Sequence, residues 1–141
     1  MSGKKTSSKK IYITQFDRDR LEGFLGLPRD EEQNGFLNPL RAELSRAVVV
    51  TPKEIPADVI TMNSTVSLVE VDSSEEEVYT LVFPKDADAE EGKISVTAPL
   101  GTAMLGYRVG DIFEWEVPMG KKRWRVAKVL FQPEAAGNFE L

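Results

Sequence analysis

Near residue 50 the spacing of apolar residues changes, and this restricts the chain to a helical segment followed by a β-rich one. Before that point Phe16, Leu21, Phe24 and Leu25 form a loose apolar stripe, and Leu40, Leu44 and Ala47 recur at i, i+4 and i+7. After it come short β-branched and aromatic runs cut by Gly, Pro, Asp and Ser. A length of 141 residues leaves room for one ordinary domain, or for a compact one with a short appendage. The expected class is α+β.

Local signals divide the first part into two helices. Ile11–Ile13 is a brief apolar lead-in, and Thr14 is placed to cap a helix whose first turn holds Asp17 and Asp19, where the dipole favours acids. Gly26 and Pro28 end it. Asn38-Pro39 reads as a cap followed by proline at the first helical position. Helices of about 14 and about 10 residues, joined through Arg29–Asn34, make a short antiparallel hairpin that reaches roughly 15–20 Å. Val48–Pro56, with two prolines, is a stiff connector.

Strands are expected near 65–72, 77–84, 93–98, 111–117 and 122–132, with a short helix near 100–106. Asp72-Ser73-Ser74-Glu75 and Pro118-Met119-Gly120-Lys121 are turns, and Pro84–Gly92 is an acidic surface loop. Gly101, Gly106 and Gly110 lack phosphate-loop spacing and serve to bound the helix and turn the chain into Asp111. A four-residue loop at 118–121 pairs Val117 with Lys122, Glu116 with Arg123, Trp115 with Trp124, Glu114 with Arg125 and Phe113 with Val126. This register puts both tryptophans on one face and the ion pairs on the other. The resulting division is a basic tail at 1–10, a helical hairpin at 11–50 and an antiparallel sheet domain at 51–141.

Charge is unevenly placed. Residues 1–10 hold four of the 18 basic residues and none of the 23 acidic ones, so the rest of the chain carries −9. So acidic a body repels a phosphate backbone, and direct nucleic-acid binding is not expected. The Ser- and Lys-rich tail has the composition of a disordered segment. With neither cysteine nor histidine, the chain has no thiol nucleophile, no Ser-His triad, no disulfide and no zinc site of the usual kind. No apolar run reaches the ~20 residues that span a bilayer, and no apolar stretch follows the N-terminal lysines. A cytoplasmic protein without membrane attachment is expected.

Four charged clusters are candidates for chemistry. The run Lys121-Lys122-Arg123-Arg125-Lys128 around Trp124 has the look of a nucleic-acid patch, but the register above pairs both arginines with glutamates and turns Trp124 inward. Asp30, Glu31 and Glu32 sit at the hairpin tip, where carboxylates suit Mg²⁺; acidic turns of this kind are usually just solvated, and no metal is expected. Glu75–Glu77 and Asp86–Glu91 read as solubilising runs. The residues offer no catalytic constellation and require no cofactor.

The stretch from Ile94 to Asp111, with Thr97-Ala98-Pro99-Leu100-Gly101-Thr102-Ala103 at its centre, closely resembles the signature of the GreA/GreB C-terminal domain. With Asp58–Ser64, Thr80–Pro84, Leu40–Ala47 and Gln132–Gly137, the chain most resembles the Rnk family of regulators of nucleoside diphosphate kinase, over roughly residues 11–141. The resemblance implies an FKBP-like C-terminal domain behind a short N-terminal coiled coil. It also implies docking of RNA polymerase at the rim of the secondary channel, in competition with Gre factors. The polymerase contact of that family maps to Thr97, Ala98 and Pro99. Pro99 is kept, whereas Thr97 and Ala98 stand where Gre proteins commonly have more polar residues.

Gre factors stimulate transcript cleavage by carrying tip carboxylates to the polymerase active site. Their helices run to about 30 residues, or near 45 Å, so this hairpin is less than half as long. A tip roughly 25 Å short of a metal cannot coordinate it, since that takes contact near ~2.1 Å. The resemblance therefore implies a non-enzymatic polymerase binder without cleavage stimulation. A link to nucleoside diphosphate kinase, direct or through expression, is the second reading. An FKBP-like prolyl isomerase is the third, and it rests on fold analogy alone.

Overall fold

The computed structural model describes residues 10–27, 30–31, 35, 37–117 and 120–138. The expected residues 1–9 of the basic tail, Glu32, most of the Arg29–Asn34 link and the Pro118-Met119 turn lie outside this set, as does the Trp115 side chain. Elements run β1 (Tyr12–Thr14), α1 (Gln15–Leu25), α2 (Asn38–Arg46), β2 (Val48–Val50), β3 (Thr65–Glu70), β4 (Glu76–Val82), β5 (Lys93–Ser95), α3 (Pro99–Met104), β6 (Ile112–Val117) and β7 (Gly120–Phe131). Short 3₁₀ turns at Pro84–Asp86 and Ala89–Glu91 shape the acidic loop. The α+β class holds.

Thr14 caps α1, its Oγ1 accepting the Asp17 N–H at 3.0 Å, and the helix ends at Gly26. The cap of α2 differs from expectation: Leu37 occupies that position without a side-chain bond, and Asn38 is already helical ahead of Pro39. Helical φ at a proline suits the first turn, where no N–H is needed, so the helix does not depend on an Asn cap. The Arg41 guanidinium donates to the Leu25 carbonyl at 3.1 Å, across a cleft of about 340 Å³ lined by Glu22, Leu25, Gly26, Arg41, Leu44 and Ser45.

The lead-in and the connector form a small sheet that the sequence reading missed. β1 and β2 pair in parallel, Tyr12 with Val48 through Thr14 with Val50. Each is three residues long, too short to show a period, and the pairing joins segments that meet only after α1 and α2 have been laid down. The Tyr12 N–H also donates to the Gly106 carbonyl at 3.2 Å.

The main sheet has the order β5-β4-β3-β7-β6 and is antiparallel except for β4 with β5. Its last hairpin corrects the expected register. Val117 pairs with Gly120, Trp115 with Lys122, Glu114 with Arg123, Phe113 with Trp124 and Ile112 with Arg125. Two residues connect the strands rather than four, the length a tight hairpin favours, and Gly120 supplies a φ of +130°. Shortening the loop by two keeps the parity, so Trp124 still faces inward and is 6% exposed. The ion pairs change: Arg123 bonds Asp72 at 3.1 Å, and Arg125 faces Ile112 and Val69 rather than a glutamate.

One core joins helices and sheet. Ile11, Ile13, Leu21, Leu25, Leu37 and Leu40 pack in the same buried cluster as Ile60, Met62, Val66, Leu68, Leu81, Met104, Tyr107, Phe113 and Trp124. Tyr107 and Phe113 stack at 5.6 Å. The irregular stretch before β3 is largely buried and its backbone is bonded: the Gly106 N–H donates to the Ile60 carbonyl and the Ile60 N–H to the Tyr107 carbonyl, each at 2.9 Å, and the Gln132 amide donates to the Pro56 and Val59 carbonyls at 2.8 Å each. Among the described residues no helix is long and apolar enough to cross a membrane.

Gly106 has φ +84°, and a Cβ there would lie 2.7 Å from that of Ile11. Gly106→Ala is expected to cost about 1–3 kcal/mol through strain and by pushing β1 away. Urea unfolding of the two proteins checks this.

Candidate functional site

The turn that carries Thr97, Ala98 and Pro99 runs from the end of β5 into the first turn of α3. Its backbone is held from several sides. The Val96 N–H donates to the Val82 carbonyl at 2.9 Å, the Ala98 N–H to Ser95 at 3.0 Å, and the Thr97 N–H to Ser95 Oγ at 3.0 Å. The Ser95 and Thr97 hydroxyls are 2.7 Å apart. From α3, Thr102 Oγ1 donates to the Val96 carbonyl at 2.6 Å and the Thr102 N–H to the Ala98 carbonyl at 2.8 Å.

Gly101 makes that packing possible, because a Cβ there would sit 2.0 Å from the Ser95 carbonyl oxygen. The strand end and the helix therefore touch backbone to backbone. Val96 is fully buried, Thr97 and Ala98 are half-buried, and Pro99 is exposed. What the turn presents outward is a proline ring beside one small apolar and one hydroxyl side chain, on a support with little freedom to move.

The acidic tip is a separate feature. Asp30 and Glu31 are exposed, and neither joins the turn; Glu32 lies outside the described residues. Among the described residues no three carboxylates gather into a metal-ligating group. The basic run on β7 is largely spent on neighbours, with Lys122 at 3.5 Å from Glu70, Arg123 on Asp72 and Lys121 at 3.9 Å from Glu114.

A polar cluster at the base of α1 was not expected. Asp17, expected from the sequence as a first-turn acid that suits the helix dipole, is fully buried. Its Oδ2 accepts the Met62 N–H at 3.0 Å and its Oδ1 the Arg20 guanidinium at 2.6 Å. The Arg20 guanidinium lies 4.2 Å from the Phe16 ring centre and 4.9 Å from that of Phe83. Nearby, Thr61 donates to Glu134 at 2.8 Å, which leaves Ser64 as donor to the Thr61 oxygen. Burial raises the Asp17 pKa despite Arg20 and the Met62 amide, and burial likewise raises that of Glu134. A signal was available: Asp17 stands four and eight residues before Leu21 and Leu25, on the buried face of α1, whereas Asp19 falls beyond the first turn on the exposed side.

Strand order and the pinned proline turn define an α+β fold with two short N-terminal helices packed on its core. Residues 55–131 match the family described as transcription elongation factor, GreA/GreB, C-term, and residues 9–50 match the Rnk N-terminus. The chain is 38% identical over 142 residues to the regulator of nucleoside diphosphate kinase of Escherichia coli (strain K12), covering 96% of this chain and 99% of that one. It is 41% identical over 93 residues to the transcription elongation factor GreA of Chloroherpeton thalassium, covering 66% of this chain and 59% of that protein. A solved prokaryotic transcription elongation factor GreA/GreB from Nitrosomonas europaea superposes with a TM-score of 0.71 at 44% identity, over 87% of this chain and 99% of that one. The chain belongs to the GreA/GreB C-terminal family, in its Rnk branch.

Two outcomes test the site. Thr102→Val removes a buried hydroxyl donor and leaves the Val96 carbonyl unmet, a loss of about 1–3 kcal/mol readable by thermal unfolding. For Asp17, a folded-state pKa above the unfolded value means that stability is present at low pH and is lost as pH rises through the folded value. Wild type should therefore gain stability relative to Asp17→Asn as pH falls from neutral toward the ordinary carboxylate range. Paired urea titrations at several pH values read the difference, with the other carboxylates common to both proteins.

Proposed function

We propose that the chain is a non-enzymatic regulator that binds RNA polymerase at the rim of the secondary channel through Thr97, Ala98 and Pro99, competing there with Gre-type factors. The observation that carries this reading is the turn itself: a family signature whose backbone is fixed from β4, β5 and α3, with Pro99 exposed. A preorganised projection loses little freedom on docking, which favours a binding surface. In this reading residues 11–50 are a hairpin appended to a docking domain at 51–141, and the protein works in the cytoplasm.

Hairpin length supports binding without cleavage. α1 has 11 residues and α2 nine, so at ~1.5 Å per residue the arms reach about 16 Å and 14 Å. Helices of Gre length reach roughly three times as far. Asp30, Glu31 and Glu32 would stop short of the catalytic metal, and their effect would be confined to the channel's outer part.

A second reading follows from the name of the Escherichia coli relative, a regulator of nucleoside diphosphate kinase. An effect on that enzyme's expression through transcription would join it to the first reading. An isomerase reading has less to support it, because Tyr107, Phe113 and Trp124 are buried in the core instead of lining an open pocket.

Purified polymerase should capture the chain, and added GreA should displace it. Pro99→Ala combined with Thr97→Asp should weaken that binding about tenfold or more, about 1.4 kcal/mol, at unchanged fold. Backtracked complexes should show no RNA shortening when the protein is added. Absence of polymerase binding, or cleavage of the stalled transcript, would refute the reading.

A further inference from the structure

The hairpin and the docking turn share a root. The Val82 carbonyl at the end of β4 takes the Val96 N–H that opens the turn, and the next residue, Phe83, lies against the Arg20 guanidinium of α1. Arg20 in turn holds Asp17, whose other oxygen takes the Met62 N–H from the buried segment ahead of β3. A short series of contacts therefore leads from the base of the hairpin to the strand end on which the turn hangs.

We propose that Asp17 and Arg20 act as a clamp that fixes the direction of the helical hairpin relative to the Thr97–Pro99 turn, a positioning role that rests on the docking reading above. The apolar contacts of α1 supply this less sharply. Leu21 and Leu25 bury their side chains in the common core, where close packing resists displacement but depends less steeply on angle than a hydrogen bond does. Hydrogen bonds and ion pairs depend steeply on angle and distance. Asp17 is fully buried, so any rotation of α1 that parted it from Met62 and Arg20 would leave a carboxylate unmet in an apolar interior. Arg20 also lies against the Phe16 and Phe83 rings, at 4.2 and 4.9 Å from their centres. Apolar burial stabilises the attachment, while the clamp sets its angle.

Position 17 serves this better than a surface pair would. Arg18 with Asp19, also on α1, is half-open to solvent and bonds only along its own helix. Asp17 alone among the α1 acids reaches a backbone group of another element. Thr61 and Glu134, the other polar groups at this base, tie the C-terminal stretch to the same segment beside Met62. The Met62 amide is thereby held on ground that the rest of the fold has fixed.

The absence of cysteine allows a direct measurement. Glu31→Cys with Lys128→Cys places two spin labels, one near the hairpin tip and one on an exposed face of the sheet. Pulsed electron–electron resonance then reads the distance between them. The parent pair is expected to give one narrow distribution. Asp17→Asn and Arg20→Met should each broaden it at least twofold or add a second population, with helix content and cooperative unfolding retained. A parent distribution that is already broad overturns the proposal, as does a narrow one unchanged by both substitutions. Arg20→Met keeps the test decisive if Asp17→Asn fails to fold, since it opens the clamp from its half-exposed side. Polymerase capture of the parent is scored separately, so loss of the docking reading and loss of the clamp are distinguishable.

Discussion

A carboxylate withdrawn from water must be met by donors, and how Asp17 is met organises much of this molecule. The Met62 amide and the Arg20 guanidinium supply the donors, one from the sheet domain and one from the same helix. The cost of burial falls on the ionised form, which is why the pKa rises even with a cation at 2.6 Å. Pairs of this kind are weak evidence for stability and better evidence for a specified geometry. Here the pair joins α1 to the buried segment ahead of β3, two parts of the chain that already share one apolar core.

The turn shows the same division between apolar and directional forces. Val96, Leu100 and Met104 bury α3 against the sheet, but apolar burial would tolerate several seatings. The close approach at Gly101, where a Cβ would stand 2.0 Å from the Ser95 carbonyl oxygen, and the Thr102 hydroxyl on the Val96 carbonyl select one of them. The glycine needs no unusual φ here; it is required because two backbones meet. A signature of small residues around a proline thus has a packing origin, and the surface it presents follows from that packing.

Much of this architecture was legible. The switch from helical to alternating spacing, the Thr14 cap, the stop at Gly26 and five of the strands are local patterns, and local patterns survive folding. The last hairpin shows where legibility ends. Alternation correctly sent Trp124 inward, because parity alone decides a face, but it could not tell a four-residue loop from a two-residue one. The partners moved accordingly, and Arg125 lost its expected glutamate to Ile112. The β1–β2 pair was invisible for a different reason: three residues carry no measurable period, and their pairing exists only once the helices have brought the two segments together.

By itself the sequence determined the α+β class, the turn signature from Ile94 to Asp111, the short reach of the two helices and the absence of thiol and imidazole chemistry. All of these follow from residue identity, spacing and length. Tertiary structure alone decided that the Asp17 carboxylate meets the Met62 amide, that Gly101 meets the Ser95 carbonyl, and that Arg20 lies beside Phe83. Each of these joins groups that local spacing does not pair. Contact and desolvation are properties of the packed chain, and no local pattern encodes them.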